Sequence, residues 1–191
     1  MYMKNAIILH GTGSKEEYYS LEYPSASNSH WFPWLQKNLI ANDILAITPE
    51  MRDNFTPDYD AWRTEFERYD ITAETVLVGH SCGGGFLVRW LSEHPEVQVG
   101  KVVLVAPWLD PENEKENGFF DFVIDPDFPQ RTQGVTIFNS DDDMDAVQVS
   151  VKEIMEETEG IKINEFHEYG HFCMEDMGTG EFPQLLEEIL K

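Results

Sequence analysis

The chain has 191 residues, 36 acidic against 13 basic, for a net charge of −23. A field that negative repels nucleic acid and anionic membranes and favours a neutral or cationic small substrate over a polyanion. It also suits a salt-rich cytoplasm, where counter-ions screen the self-repulsion. Apolar content of 41% and aromatic content of 13% are those of a globular protein, expected as one domain over residues 1–191. No apolar run reaches the roughly 20 residues of a membrane span. The first residues, MYMKNAIILHG, lack the basic region and cleavage site of a signal peptide. Cys82 and Cys173 are too few for a disulfide framework, so cytoplasmic residence is the expectation.

Short β-rich runs alternate with amphipathic segments, the pattern of a parallel sheet covered on both faces. AIILHG (6–11) is the first strand, and a long loop follows it. In HWFPWLQKNLI (30–40), Trp31, Trp34, Leu35 and Leu39 recur at helical spacing, with Pro33 in the tolerated first turn. DILAITPE (43–50) is the second strand. The next helix, 57–69, has Asp58 as N-cap and Trp62, Phe66 and Tyr69 on one face. TVLVGHS (75–81) is the third strand and runs directly into a helix over 82–94. GKVVLVAP (100–107) is the fourth. Residues 107–134 are acidic, aromatic and proline-rich without periodicity, the marks of a lid or pocket wall. GVTIFNS (134–140) is the fifth strand, followed by a helix over 146–158. A sixth strand starts at Ile161 after a turn at Gly160, and FPQLLEEIL (182–190) closes the chain as a helix.

Gly79-His80-Ser81-Cys82-Gly83 matches G-x-S-x-G between a buried strand and a helix. Such a turn strains the serine, and glycines flank it because side chains there would strike the neighbouring strand and helix. A serine nucleophile needs a base, and the base needs a carboxylate to orient it. The loop after the fifth strand offers Asp141, Asp142, Asp143 and Asp145. Asp110, after the fourth strand, is a second location for the acid. After the sixth strand comes FHEYGHF, where His171 follows a glycine and is favoured over His167 as the base. An oxyanion hole would use the N–H of Cys82 and a second N–H from HGTGS, assigned to Thr12. His10, His80, Trp108 and Phe119 are the candidate pocket residues.

The same His167-Glu168-Tyr169-Gly170-His171 also spells H-E-x-x-H, which binds zinc only when a helix puts both histidines on one face. The β-like IKINEF before it and Gly170 within it oppose that helix. Neither a metal nor a cofactor is therefore expected. The expected activity is hydrolysis of a carboxylic ester or related acyl bond by a serine nucleophile; the alternatives are an amidase or peptidase using the same groups, and a binding protein on the same scaffold.

GHSCGG, NSDDDMDAV and YGHF, with the strand–His-Gly-x-Gly start and WFPWLQKNL, resemble the α/β-hydrolase superfamily over essentially the whole chain. More narrowly, they are similar to its small retinoblastoma-binding-protein-nine-like serine hydrolases and their bacterial relatives. The resemblance implies a mostly parallel six-stranded sheet of order 2-1-3-4-5-6 with helices on both faces. It also implies a triad of Ser81, Asp143 and His171, so it is the resemblance that picks Asp143 from the acidic run. Met144 stands where the family often has proline, and the DDD run keeps Asp142 as the neighbouring candidate.

Overall fold

The computed structural model describes residues 4–114 and 117–191. Residues 115 and 116, inside the connection expected as a lid or wall, lie outside the described residues. Six strands form one sheet: β1 (Asn5–Leu9), β2 (Leu45–Ile47), β3 (Val76–His80), β4 (Val102–Val105), β5 (Val135–Ser140) and β6 (Lys162–Phe166). All neighbours are parallel, and the order is β2-β1-β3-β4-β5-β6, as the sequence resemblance implies. β3, β4 and β5 are buried along their whole length, which explains their unbroken apolar character. β6 is an edge strand, mixed in burial and in sequence.

The chain steps from β1 outward to β2 and then crosses back to β3. With right-handed crossovers, that reversal puts the connecting helices on opposite faces and opens a crevice beyond the strand ends at β1 and β3. On one face, α2 (Phe32–Ala41) packs against α7 (Pro183–Leu190). On the other, α3 (Tyr59–Phe66) meets α4 (Cys82–Glu93) through Phe66, whose ring lies 5.4 Å from Phe86 and 4.9 Å from Trp90. Asp58 caps α3 by accepting from the Ala61 amide at 2.8 Å, and Pro33 sits in the first turn of α2. α5 (Asp145–Glu157) links β5 to β6. Two further helices are short: α1 (Lys15–Tyr19), within the loop after β1, and α6 (Met174–Met177). Among the described residues, no helix is long and apolar enough to cross a membrane.

The connection from β4 to β5 folds over α4. Arg89 lies 3.6 Å from the centre of the Tyr59 ring and donates to the carbonyls of Gly118 and Phe119, each at 2.7 Å. Arg131 reaches the Leu91 carbonyl at 2.6 Å. Phe119 and Phe128 are buried in the core.

The far end of the sheet depends on one buried carboxylate. Glu188 accepts from Thr136 (2.9 Å), Lys162 (2.9 Å) and Lys191 (3.2 Å), and its carbonyl accepts from Lys101 (2.8 Å). Burial pushes its carboxyl up, but the hydrogen bonds from Lys162, Thr136 and Lys191 outweigh that and bring it down to about 2. A carboxyl lowered by folding stabilises above its unfolded value near 4.5 and loses that contribution as pH falls toward 2. Glu188→Gln is therefore expected to cost about 1–3 kcal/mol at pH 7. In urea titrations the gap between variant and wild type should shrink as pH drops through 4. A gap independent of pH would contradict this.

Candidate active site

The chain passes from β3 into α4 through a single residue, Ser81, at φ 54° and ψ −123°. An L-residue adopts that conformation only where its surroundings dictate it. Here the Ser81 amide donates to the Val105 carbonyl at 2.9 Å, which extends the β3–β4 ladder. Its carbonyl accepts from the amides of Gly84 (2.9 Å), Gly85 (3.1 Å) and Trp108 (3.1 Å). The crossing is so close that a Cβ on Gly79 would lie 2.6 Å from the Gly83 carbonyl oxygen, and one on Gly83 would lie 2.5 Å from that of His10.

His171 and Asp143 arrive on neighbouring loops after β6 and β5. The His171 Nδ1–H donates to the Asp143 carboxylate, at 2.9 and 3.0 Å from its two oxygens. That leaves Nε2 as the basic nitrogen. The Asp143 side chain has no exposed surface and also accepts from the Met144 amide at 2.7 Å. The histidine backbone is held at both ends. Its amide donates to Asp176 (3.0 Å), and its carbonyl accepts from His80 Nε2–H (2.8 Å). Burial, then the nearby His171, holds the His80 ring far below the usual histidine range, so it remains a neutral donor at pH 7.

The acidic run separates into distinct tasks. Asp142 accepts from the Ser140 hydroxyl (2.6 Å) and the Gly170 amide (3.0 Å), tying the two loops together, while the side-chain hydrogen bonds of His167 and His171 go to Asp141 and Asp143. Asp141 pairs with His167 at 2.5 Å; its hydrogen bond to that ring raises the imidazole above its ordinary value. Asp145 starts α5, and Asp110 accepts from the Glu114 amide at 2.7 Å. Residues 167–172 form turns rather than a helix, with Glu168, Gly170 and Phe172 all at positive φ. His167, 78% exposed, and His171 therefore lie on different carboxylates and share no helical face, so HEYGH lacks the geometry of a zinc motif.

Ser81 and His171 line a common cavity of about 430 Å³ outside the ends of β1 and β3, together with His10, Thr12, His30 and His80. No hydrogen bond joins the serine hydroxyl to the His171 ring among the described residues; such contacts often tighten only with substrate. Gly11 lies against Ser81, where a Cβ would come within 2.8 Å of the serine Cβ. Cys82 is fully buried as the first residue of α4. His10 is fixed as the Nδ1–H tautomer, donating to the Gly11 carbonyl (2.7 Å) and accepting from the Met51 amide (2.8 Å). Cys173 also faces the cavity; burial, then Asp176, pushes its thiol up to about 12, which leaves it protonated.

Two of the residues expected in the pocket are placed elsewhere. Trp108 packs on Phe120, with ring centres 5.4 Å apart, and Phe119 is buried against Trp62 at 5.1 Å; neither lines the cavity. The walls come instead from the loop after β1, including Glu17, Tyr18 and Tyr23, and from Glu50 and Asn54 after β2. The only sequence signal for this wall is Ser14-Lys15-Glu16-Glu17, a capping box that starts α1.

Fold and site together define an α/β hydrolase with a serine at the strand–helix turn. The sequence profile of the serine hydrolase family matches residues 22–190, and the chain belongs to that family, within the α/β-hydrolase superfamily. YdeN of Bacillus subtilis strain 168, which carries a hydrolase name, is 33% identical over 118 residues, 56% of this chain. That match takes in 62% of YdeN, less than two thirds of its length. The crystal structure of the B. subtilis ydeN gene product superposes with a TM-score of 0.77 at 22% identity, covering 98% of this chain and 97% of that one. Est1E from Butyrivibrio proteoclasticus gives 0.66 at 14% identity, covering 98% and 85%.

Gly83→Ala should destabilise the chain by about 1–3 kcal/mol, because its methyl would meet backbone that has no room to retreat. An unchanged urea midpoint would mean that the β3–α4 crossing is looser than described.

Proposed function

We propose that the chain is a serine hydrolase acting on a carboxylic ester or related acyl bond, through Ser81, His171 and Asp143. The observation that carries this reading is the strained Ser81, facing the same cavity as a histidine whose other nitrogen is bound to a fully buried carboxylate. Asp143 orients His171 and stabilises its imidazolium form. His171 Nε2 takes the Ser81 proton as the oxygen attacks the acyl carbonyl, and returns it to the leaving alcohol. The N–H groups of Cys82 and Thr12 are the proposed donors to the tetrahedral oxyanion, aided by the positive end of α4. Water, deprotonated by His171, then attacks the acyl-enzyme, and the carboxylic acid leaves. No metal or cofactor enters this scheme. None of the described residues of the 107–134 connection lines the cavity; hydrogen bonds from Arg89 to Gly118 and Phe119, and from Arg131 to Leu91, tie it to α4, away from the reacting groups.

The test is hydrolysis of p-nitrophenyl butyrate by four variants. Ser81→Ala and His171→Ala should fall to background. Asp143→Asn should lose about 10³–10⁴-fold in kcat, because the amide favours the wrong histidine tautomer. Asp142→Asn should lose less than about 10-fold, with most of its effect on thermal stability. Equal losses at 142 and 143 would overturn the assignment of the acid, and full activity in Ser81→Ala would overturn the mechanism.

A further inference from the structure

The hydrolytic scheme gives no task to His30, which lines the same cavity as Ser81 and His171. His30 lies two residues before α2 and takes φ 52°, uncommon for a residue other than glycine. Its neighbours hold the turn. The Phe32 amide donates to the Ser29 carbonyl at 3.2 Å, and the buried Trp31 donates its indole N–H to the Phe172 carbonyl at 3.1 Å.

The ring is fixed as well. Its Nδ1 accepts from the Met174 amide at 3.2 Å. Burial lowers the imidazole below its ordinary value despite the nearby Glu175, so at pH 7 the ring is neutral. With Nδ1 accepting, its one proton sits on Nε2. That N–H has no partner among the described residues. The side chain is 27% exposed, and Nε2 is not among the buried unpaired atoms, so a ligand in the cavity can reach it.

The donor also stands in a fixed relation to the reacting groups. The His30 ring centre is 6.0 Å from that of His80, which is 4.9 Å from that of His171. The segment bearing His30 is pinned twice to the segment that follows His171, by Trp31 on Phe172 and by Met174 on His30. A cavity of about 430 Å³ is of a size that holds one small organic molecule, which can meet Ser81 and His30 together.

The charge of the cavity selects the kind of acceptor. Glu17 and Glu50 line it, and no lysine or arginine is among the described residues that do. An anionic acceptor is repelled there, whereas an uncharged oxygen takes the N–H without that cost.

We propose that His30 is a specificity-determining residue whose Nε2–H donates to an oxygen of the substrate other than that of the scissile carbonyl. The preferred substrates of the Ser81 site are then small, uncharged esters carrying a second oxygen acceptor. This inference rests on the hydrolase reading above.

The test uses three pairs of esters that differ by a carbonyl oxygen against a methyl group. On the acyl side these are p-nitrophenyl 4-oxopentanoate with 4-methylpentanoate, and 5-oxohexanoate with 5-methylhexanoate. On the leaving-group side they are 2-oxopropyl and isobutyl acetate. Each kcat/KM is divided by the hydroxide-catalysed rate of the same ester, which removes inductive differences. In at least one pair the oxo ester should be preferred by about 5–10-fold, the worth of one hydrogen bond. His30→Phe keeps a ring, and His30→Asn accepts a positive φ but withdraws the donor. Each should bring that ratio close to one. A ratio near one in every pair of the wild type overturns the proposal. So does a loss in both variants that falls equally on the two members of a pair, which would mark a merely structural role. A separate arm needs no turnover: nitrogen-15 spectra of histidine-labelled Ser81→Ala, with the His30 signals assigned by their absence from the His30→Phe double variant. His30 should be the Nε2–H tautomer at pH 7, and the preferred oxo ester should move its Nε2 signal more than the methyl ester does. If no ester is hydrolysed, the hydrolase reading fails, and these spectra still decide the role of His30: an Nδ1–H tautomer, or an Nε2 signal that none of the oxo esters moves, rejects it.

Discussion

The site depends on one residue, Ser81, whose turn takes the chain from β3 into α4 without an intervening loop. A residue at φ 54° and ψ −123° is an unfavourable local choice, and hydrogen bonds to its amide and to its carbonyl hold it there. The amide belongs to the sheet and the carbonyl belongs to the helix and to Trp108. The strain is thus balanced by cooperative structure on either side, and relieving it would break sheet and helix bonds together. This arrangement sets the serine at the start of a helix, where backbone amides and the helix dipole converge on the cavity.

A second constraint sets the histidine. His171 lies in a segment of turns, which alone would leave its ring poorly placed. Its carbonyl is held by His80, the residue before Ser81, and its amide by Asp176. Asp142 joins the ends of β5 and β6 through Ser140 and Gly170, so the loops bearing Asp143 and His171 are tied to each other. The proposed nucleophile and base are therefore positioned from one strand end, His80 holding the His171 carbonyl and Ser81 following it. Burial keeps His80 neutral, which avoids a second positive charge beside the imidazole that gains one in the proposed mechanism.

Much of this was legible in the sequence, for identifiable reasons. The buried strands read as continuous apolar runs because both faces of β3, β4 and β5 are covered. The turn at Ser81 showed in the spacing of its glycines, since no other residue fits where β3 and α4 cross. Asp143 was different. Four aspartates in five residues carry no periodicity, and the resemblance to known hydrolases chose among them; the contacts of Asp141 and Asp142 then show what the neighbours do. The pocket walls were not legible. α1 has five residues and no buried one, too short for a hydrophobic pattern, and it is held by its capping box. Asn54 sits in a turn that only the fold brings beside Gly13. Trp108 and Phe119 appeared as pocket residues because aromatic content does not distinguish a cavity wall from packing over a helix. In the structure both are buried, Phe119 among Tyr59, Trp62 and Phe86.

The central claim is that this turn delivers an activated serine. Labelling with a fluorophosphonate probe, followed by intact-mass analysis and peptide mapping, tests it most directly. The account predicts one adduct per chain, mapped to Ser81, unaffected by EDTA and absent from Ser81→Ala. An adduct on another residue, or none on a folded chain, would contradict it.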